Sequence, residues 1–157
     1  GQLPVCYDSK SSYDAMRYRD EAPSPLFPFG FGLSYAQFQY SGFRLSHDSV
    51  VAEELKSHPV TLKFTVKNVG EREGWAVPSL YIHGLGGSVV RRRKELRAFE
   101  KRFLRPGESA GVCLPLDAEK LAVWDASLRF AVEPGAVALS LEDGGKRWWE
   151  GILKIRR

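Results

Sequence analysis

The residues that could act as acids or bases are scattered along this 157-residue sequence and do not form a local motif. Two carboxyl groups can cleave a glycosidic bond when one serves as the acid and the other as the nucleophile or base. The sequence does not give the separation that such a pair needs, and each carboxylate is more simply explained as a turn residue, a cap or a solvated group. The carboxylates considered are Asp8, Asp14, Asp20, Glu21, Asp125 and Glu133. We therefore predict no catalytic residue in this sequence.

The other residue types that carry chemistry also lack the spacing that their chemistry needs. Ser34 is followed by Ala36, so the Gly-x-Ser-x-Gly elbow of a serine hydrolase is incomplete. Gly30 and Gly32 lack the third glycine of a dinucleotide-binding loop, and no helical pattern follows them. The three histidines and two cysteines have no zinc-ligand spacing. We therefore expect no cofactor-binding residue, no cofactor and no metal site.

The charge balance is only mildly basic, with 23 Lys and Arg residues against 19 Asp and Glu residues and a net charge of +4. Residues 91–94, Arg-Arg-Arg-Lys, could contact phosphates or could be a solvated loop at the start of a strand. Glu95, Glu100 and Glu108 follow closely, so we favour the solvated loop and expect no nucleic-acid partner. No apolar run is long enough to span a membrane, so we expect no membrane partner either.

The elements that must position these residues are predicted to be strands. Residues 1–35 are irregular and broken by proline, whereas strand patterns follow one another from about residue 36 onward. Turn sequences rich in Pro, Gly and Asp separate the strands, and Asp117 is a candidate N-cap for one helical turn. About seven short strands separated by turns predict an all-β fold, a β-sandwich with an irregular N-terminal arm.

Period-two alternation gives the bounds of the strands and the face that each one buries. We predict strands at residues 60–67, 75–82, 94–104, 109–116, 128–132, 136–141 and 148–155. The side chains predicted to fill the space between two sheets are Leu62, Phe64, Val66, Val112, Leu114 and Leu116. Cys113 should then point to the opposite face. We expect Cys6 and Cys113 to be reduced thiols, with a disulfide between them as the alternative.

The densest feature is an aromatic segment at residues 25–35, with the sequence PLFPFGFGLSY. Its rings could stack on sugar rings or bases, or they could form a joint packed against a neighbouring surface. We favour the packed joint, because Gly30 and Gly32 allow close approach of the backbone. The side chains predicted to bury against the sandwich of this chain or against a second copy are Leu26, Phe27, Phe29 and Phe31. Self-association through this arm is the consequence that we expect.

Several motifs, in this order along the chain, closely resemble the C-terminal region of family 3 glycoside hydrolases, the β-glucosidase and β-xylosidase group. The most specific are the aromatic segment at residues 25–35, the Lys-Glu-Leu sequence at 94–96 and the Pro-Gly-Glu sequence at 106–108. Further matches lie at residues 1–5, 18–20, 66–70, 80–82 and 132–135. The resemblance covers the chain to about Gly144, and it departs from the family at Arg91-Arg92 and at residues 146–149.

In that family a catalytic β/α-barrel is followed by an α/β-sandwich domain and, in many members, by a fibronectin type III-like domain. The resemblance implies that residues 36–157 are this last domain, and that residues 1–35 are the tail of the α/β-sandwich with a linker arm. The family's catalytic Asp and Glu lie in the earlier domains, so no catalytic role is carried over to this sequence. The implied function is non-catalytic: the domain stabilises the barrel and α/β-sandwich of a β-glucosidase-like enzyme.

Two other interpretations come from different classes of protein. In a carbohydrate-binding module, a flat ring would be presented by Trp75, Trp124, Trp148 or Trp149. Adjacent strand residues point to opposite faces, so at least one of the last two could be exposed. A protein-interaction module is less favoured, because residues 1–35 resemble part of a larger enzyme. The first residues lack a signal-peptide pattern, and the sequence leaves a cytoplasmic or a secreted location open.

Overall fold

Twelve strands and two short helical turns make up the regular structure of the part that this computed structural model describes, residues 6–10, 24–84 and 86–157. The strands are β1 (Phe38–Leu45), β2 (Ser49–Val51), β3 (Val60–Asn68), β4 (Gly74–Ala76), β5 (Ser79–Gly84), β6 (Glu95–Phe99), β7 (Arg102–Leu104), β8 (Ser109–Leu116), β9 (Val123–Trp124), β10 (Phe130–Ala131), β11 (Gly135–Asp143) and β12 (Lys146–Arg156). A 3-10 turn covers Glu54–Lys56, and the helix α1 covers Ala118–Leu121. The predicted all-β class is confirmed.

Two sheets face each other as a β-sandwich. One sheet has three strands in the order β1-β3-β8, and the other has five in the order β2-β12-β11-β5-β6. Two additional strand pairs, β4-β7 and β9-β10, extend from this body. Neighbouring strands in the two sheets pair antiparallel except β2 and β12, which run parallel.

The core between the sheets contains the side chains that alternation predicts. The strand β3 buries Val60, Leu62, Phe64 and Val66 and exposes the residues between them or leaves them half-buried. The strand β8 has the predicted bounds and buries Val112, Leu114 and Leu116 towards β3. All six predicted core residues are buried, so the predicted register is confirmed. Cys113 lies on the solvent face, and both cysteines are free and exposed.

Local turn chemistry also follows the sequence. Asp117 caps α1, because its carboxylate accepts a hydrogen bond from the backbone N–H of Lys120 at 2.9 Å. Gly144 and Gly145 have φ angles of 59° and 81°, and they form the tight turn between β11 and β12. Positive φ at two successive positions is the geometry of a two-residue hairpin turn, which glycine adopts without a steric penalty.

The two strands predicted at residues 75–82 and 94–104 are each divided in two. Pro78 interrupts the first, since it has no N–H to donate to a strand ladder. The second is interrupted opposite it, where the N–H of Glu100 donates to the carbonyl of Pro78 at 3.2 Å. Before and after this point the chain pairs differently: β4 pairs with β7, whereas β5 pairs with β6. Alternation alone does not reveal such a change of partner.

Replacing Phe64 by Ala should lower the free energy of unfolding by about 3–5 kcal/mol, because the ring is buried against Tyr40 and Phe43 from β1 and its removal leaves a cavity. Urea denaturation followed by circular dichroism measures this loss. Thr65→Ala on the solvent side of the same strand is the control and should cost much less. Equal losses for the two variants would contradict the assignment of faces.

Candidate docking surface

Tyr81 is the residue on which the N-terminal arm (residues 1–35, described at 6–10 and 24–35) is fixed. It lies between Leu80 and Ile82, which face the core, so its own side chain points to the outer face of the five-stranded sheet. Despite this outward position only 2% of it is exposed. The ring of Tyr7 meets it edge-on at 6.3 Å between centroids. Burial, together with the charge of Glu142, raises the pKa of the Tyr81 phenol to about 12.

The arm crosses this face through a small set of aromatic and backbone contacts. Tyr7 and Phe29 stack with centroids 4.0 Å apart and planes 14° apart. Gly30 passes over Tyr81 so closely that a β-carbon added to Gly30 would lie 3.5 Å from the phenol oxygen of Tyr81. Further along, the backbone of Phe31 lies so close to the β11–β12 turn that a β-carbon on Gly145 would be 3.4 Å from its Cα. A cavity of about 80 Å³ remains between Phe29 and the sheet.

The basic run at residues 91–94 holds the arm and is not the solvated loop that the sequence suggests. Arg92 forms an ion pair with Asp8 of the arm. The N–H of Arg93 donates to the carbonyl of Ser9 at 2.9 Å, and Lys10 bridges to Arg92 as a single antiparallel pair. These contacts explain why the run lies beside residues that are far away in the sequence.

The other two residues of the run are largely buried against carboxylates. Arg91 forms an ion pair with Glu133 at 3.2 Å, with the two side chains only 9% and 15% exposed. Lys94 places its ammonium 4.0 Å from the centre of the Tyr81 ring and pairs with Glu142. The sequence interpretation fails here because the two carboxylates lie 42 and 48 residues further along the chain. Of the run, Arg91 and Lys94 are therefore structural residues.

A chain of polar groups continues from Glu142 along the outer face of the sheet. The Ser140 hydroxyl, which is buried, lies 3.3 Å from a carboxylate oxygen of Glu142 and 2.9 Å from Nε2 of His83. Nδ1 of His83 lies 2.8 Å from the carbonyl of Arg93, which can only accept, so Nδ1–H donates there and Nε2 is an acceptor in the neutral ring. The single hydroxyl proton of Ser140 can be donated to Nε2 or to Glu142, but not to both at once. Because Ser140 is buried beneath these groups, it is not arranged as a nucleophile.

Much of the aromatic segment remains exposed, contrary to the prediction. Leu26 is 84% exposed and Phe27 is 67% exposed, so the predicted burial is wrong for these two within this chain. Phe29 and Phe31 contact the sandwich or its turn but keep one side in solvent. The physical reason is geometric: a single segment that crosses the sheet can turn only one side towards it.

The exposed rings of the arm lie near further exposed apolar side chains on the strands. On the arm, the rings of Phe27 and Phe31 are in contact, with centroids 5.1 Å apart. Phe99 lies opposite Ser79, which lines the same cavity as Phe29, and Trp75 packs against Phe103 on the β4-β7 pair. We call this set of side chains the joint surface; its exposed members are Leu26, Phe27, Phe29, Phe31, Leu33, Tyr35, Trp75, Phe99 and Phe103.

Comparison with known proteins identifies the fold and its context. The family model of the fibronectin type III-like domain matches residues 76–144. The chain carries a fibronectin type III-like domain. It is 37% identical over 165 residues to the periplasmic β-glucosidase of Salmonella typhimurium, an alignment that covers 99% of this chain and 21% of that protein. It is 36% identical to a putative β-xylosidase of Formosa agariphila, over 86% of this chain and 17% of that protein.

Solved structures agree with this assignment. A β-glucosidase from Erythrobacter marinus superposes with a TM-score of 0.85 at 32% identity, over 99% of this chain and 20% of that one. A β-glucosidase from Listeria innocua in complex with glucose superposes with a TM-score of 0.87 at 24% identity, which supports the fold alone. The resemblance to family 3 glycoside hydrolases is confirmed, and the chain spans about a fifth of the length of these relatives.

The tryptophans of this fibronectin type III-like domain do not form a flat platform. Trp148 and Trp149 are both half-buried, against Tyr40 and Phe43 respectively, because a bulge opposite Leu141 and Glu142 turns them towards the same side. The expectation that one of them is exposed is therefore wrong. Trp75 is exposed but crosses Phe103 at 60°, and Trp124 is tilted 40° from Phe130. Among the described residues no coplanar pair of exposed Trp or Tyr rings occurs.

Three of the six carboxylates considered for catalysis are described, and each serves a separate local contact. Asp8 pairs with Arg92, as described above. Asp125 accepts hydrogen bonds from the backbone N–H groups of Arg129 and Ser127, which lower its pKa. The hydrogen bond from the Ser88 hydroxyl is the main reason that the pKa of Glu133 is lowered. The remaining three, Asp14, Asp20 and Glu21, lie outside the described residues.

The other sequence candidates have structural roles or no ligand-like surroundings. The Ser34 hydroxyl accepts the N–H of Ala36 at 3.1 Å, as expected for a turn residue. Within residues 6–10, 24–84 and 86–157, no three His, Cys, Asp or Glu side chains cluster closely enough to hold a metal ion. Over the same residues, no helix is sufficiently long and apolar to cross a membrane.

Replacing Tyr81 by Leu should release the arm while leaving the sandwich folded. The change removes the contact with Tyr7 and the ring below Lys94, whereas Leu80 and Ile82 keep the core face of β5 intact. Limited trypsin digestion followed by mass spectrometry should show faster cleavage after Lys10. Tyr81→Phe, which retains the ring, is the matched control and should resemble the wild type. If all three proteins are cleaved at the same rate, Tyr81 does not fix the arm.

Proposed function

We propose that this chain is the non-catalytic C-terminal part of a longer family 3 glycoside hydrolase, and that it stabilises the catalytic domains through its joint surface. In this proposal residues 36–157 are the fibronectin type III-like domain, and residues 1–35 are the tail of the preceding α/β-sandwich with its linker arm. The partners are that α/β-sandwich and the catalytic barrel. We call the longer polypeptide the parent enzyme.

The observation that carries the proposal is the exposure of the joint surface on an arm that is itself fixed in place. Tyr7, Phe29 and Tyr81 hold one side of the arm to the sheet, while Leu26 and Phe27 on the other side remain in solvent. Contiguous apolar surface of this kind is unusual on a free-standing soluble domain and marks a contact with another protein surface. The periplasmic β-glucosidase relative is about five times as long as this chain, so the remainder of such a protein is large enough to cover the joint surface.

The proposed reaction of the parent enzyme is the hydrolysis of terminal β-linked glucosides or xylosides. The names of the relatives, β-glucosidase and β-xylosidase, support this substrate class. Family 3 resemblance implies a retaining mechanism, in which a carboxylate forms a glycosyl-enzyme that water then resolves. Asp8, Asp125 and Glu133 are each engaged in a turn or an ion pair, which supports a contribution of this chain that is positional and not chemical.

The isolated 157-residue chain should not hydrolyse aryl β-glucosides or β-xylosides, because both carboxyl groups of the proposed mechanism belong to the rest of the parent enzyme. Release of the aryl group is followed by absorbance, with a mock purification as the control. Turnover that stays with the chain through further purification would contradict this expectation.

In the parent enzyme, the double variant Leu26→Ser and Phe27→Ser should shorten the half-life of activity at elevated temperature and loosen the domain. Each side chain contributes about 1.5–3 kcal/mol when it is fully buried at an interface. The same double variant should leave the melting temperature of the isolated chain nearly unchanged, since both side chains are exposed there. Ile152→Ser, an exposed residue away from the arm, is the matched control.

Sedimentation of the isolated chain separates this proposal from self-association through the arm. If the isolated chain is a monomer, and the joint-surface variants destabilise only the parent enzyme, the surface docks within one polypeptide. A dimer that the double variant dissociates, with no effect on the parent enzyme, would instead assign the surface to a second copy of this chain.

A further inference from the structure

A second exposed apolar group lies on the hairpin formed by β9 and β10, residues 123–131, which we call the Trp124 hairpin. Trp124 and Phe130 are directly opposite each other, and their ring centroids lie 5.3 Å apart. Both side chains are exposed, and Leu128 at the tip is 80% exposed. The hairpin therefore presents its three largest apolar side chains to solvent.

The tip is held by a single carboxylate. Asp125 accepts hydrogen bonds from the N–H groups of Ser127 at 2.8 Å and Arg129 at 3.0 Å. It also pairs with the guanidinium of Arg129 at 2.9 Å, which balances its charge. The N–H of Leu128 donates to the Asp125 carbonyl at 3.0 Å. A loop bonded in this way presents a fixed, locally neutral surface.

Leu128 adopts a backbone conformation that disfavours leucine. Its φ angle is 58°, and among the described residues it is the non-glycine residue with positive φ. Glycine or asparagine would adopt this left-handed conformation with less strain. The exposed side chain gains no compensating contact within the described structure, so the domain alone gives no reason for a leucine here. Strain of this kind at an exposed position points to a contact made elsewhere.

We propose that the Trp124 hairpin is a second contact of this domain with the rest of the parent enzyme, and that Leu128 is its central side chain. This inference rests on the proposed function. The surface that receives the hairpin is an uncharged, apolar recess, because the tip carries apolar side chains and a balanced ion pair. Aromatic and aliphatic side chains that fill such recesses supply much of the energy of protein contacts.

The size of the hairpin surface favours the same polypeptide over a second copy. A stable association between separate proteins buries about 800 Å² on each partner. An aromatic side chain buries roughly 150–250 Å² even when it is covered completely, so three partly exposed side chains fall short of that area. A contact within one polypeptide needs less, because the linker keeps the effective concentration of the two surfaces high.

The hairpin is also connected to the part of the domain that carries the joint surface. Glu133 lies two residues after the hairpin and binds Ser88 and Arg91. Arg92, which follows Arg91, pairs with Asp8 of the arm. The same loop thus fixes the hairpin and the arm. A body that covers the joint surface and has four times the mass of this chain can reach the hairpin as well.

The test is the substitution Leu128→Asn, made in the isolated chain and in the parent enzyme. In the isolated chain the melting temperature should stay the same or rise, because asparagine tolerates the left-handed conformation. In the parent enzyme, proteolytic separation of this domain from the remainder should become about tenfold faster or more, as expected for loss of a central contact. Ile152→Thr is the matched control and should change neither measurement.

The other outcomes distinguish the hairpin contact from its alternatives. If Leu128→Asn destabilises the isolated chain as much as the parent enzyme, the leucine is structural. If separation changes less than twofold while the joint-surface variants accelerate it, the proposed function stands and the hairpin contact does not. If the isolated chain is a dimer that Leu128→Asn dissociates, the occupant is a second copy. If Leu128→Asn accelerates the proteolytic separation and the joint-surface variants do not, the hairpin contact stands and the proposed role of the joint surface is wrong.

Discussion

The burial of Tyr81 on the outer face of the sheet is the interaction on which the arrangement of the arm depends. In its described parts, residues 6–10 and 24–35, the arm forms no strand of its own and has few internal hydrogen bonds to fix it. Fixing a backbone costs roughly 1–2 kcal/mol per residue, and this cost must be offset by contacts with something already ordered. Tyr81 supplies the ordered surface, because β5 is paired on both sides, with β11 and with β6, and its inward neighbours belong to the core.

The result is a sheet that is apolar on both sides at Tyr81. On the inner side Leu80 and Ile82 belong to the core cluster, and on the outer side Tyr81 meets Tyr7 and Lys94. Next to this place on the outer face, His83 and Ser140 are polar. The local apolar region determines where the arm crosses, and the crossing determines which of its side chains remain in solvent. The joint surface thus follows from the position of one tyrosine.

Much of the fold could be predicted because its determinants are local. Alternation in β3 and β8 identifies the core face, and Asp117 and the Gly144–Gly145 pair fix their turns through their own backbone preferences. The failures involve residues whose partners are remote in sequence. Arg91 and Lys94 find Glu133 and Glu142 only after the sheet has formed, and a bulge opposite β11 places Trp148 and Trp149 on one side.

The candidate surface shows the same division. The composition of residues 25–35 indicates a joint, because proline and glycine exclude a regular element and the aromatic rings require a contact. Which rings face the sheet cannot be inferred from that composition, since it depends on where Tyr81 and Gly145 lie in three dimensions. Leu128 gave no sequence signal, because its left-handed conformation is visible only in the folded hairpin.

The loop at residues 86–94 also determines how the domain responds to force. Its ion pairs and backbone bonds join it to the arm through Asp8 and Ser9, and to the Trp124 hairpin through Glu133. Tension applied to the first residues of the arm is therefore resisted by this loop before it reaches the covalent connection to β1. The exposed Arg92–Asp8 pair is screened by salt more strongly than the largely buried Arg91–Glu133 pair. Ionic strength thus sets how firmly a pull on the arm is transmitted to the hairpin.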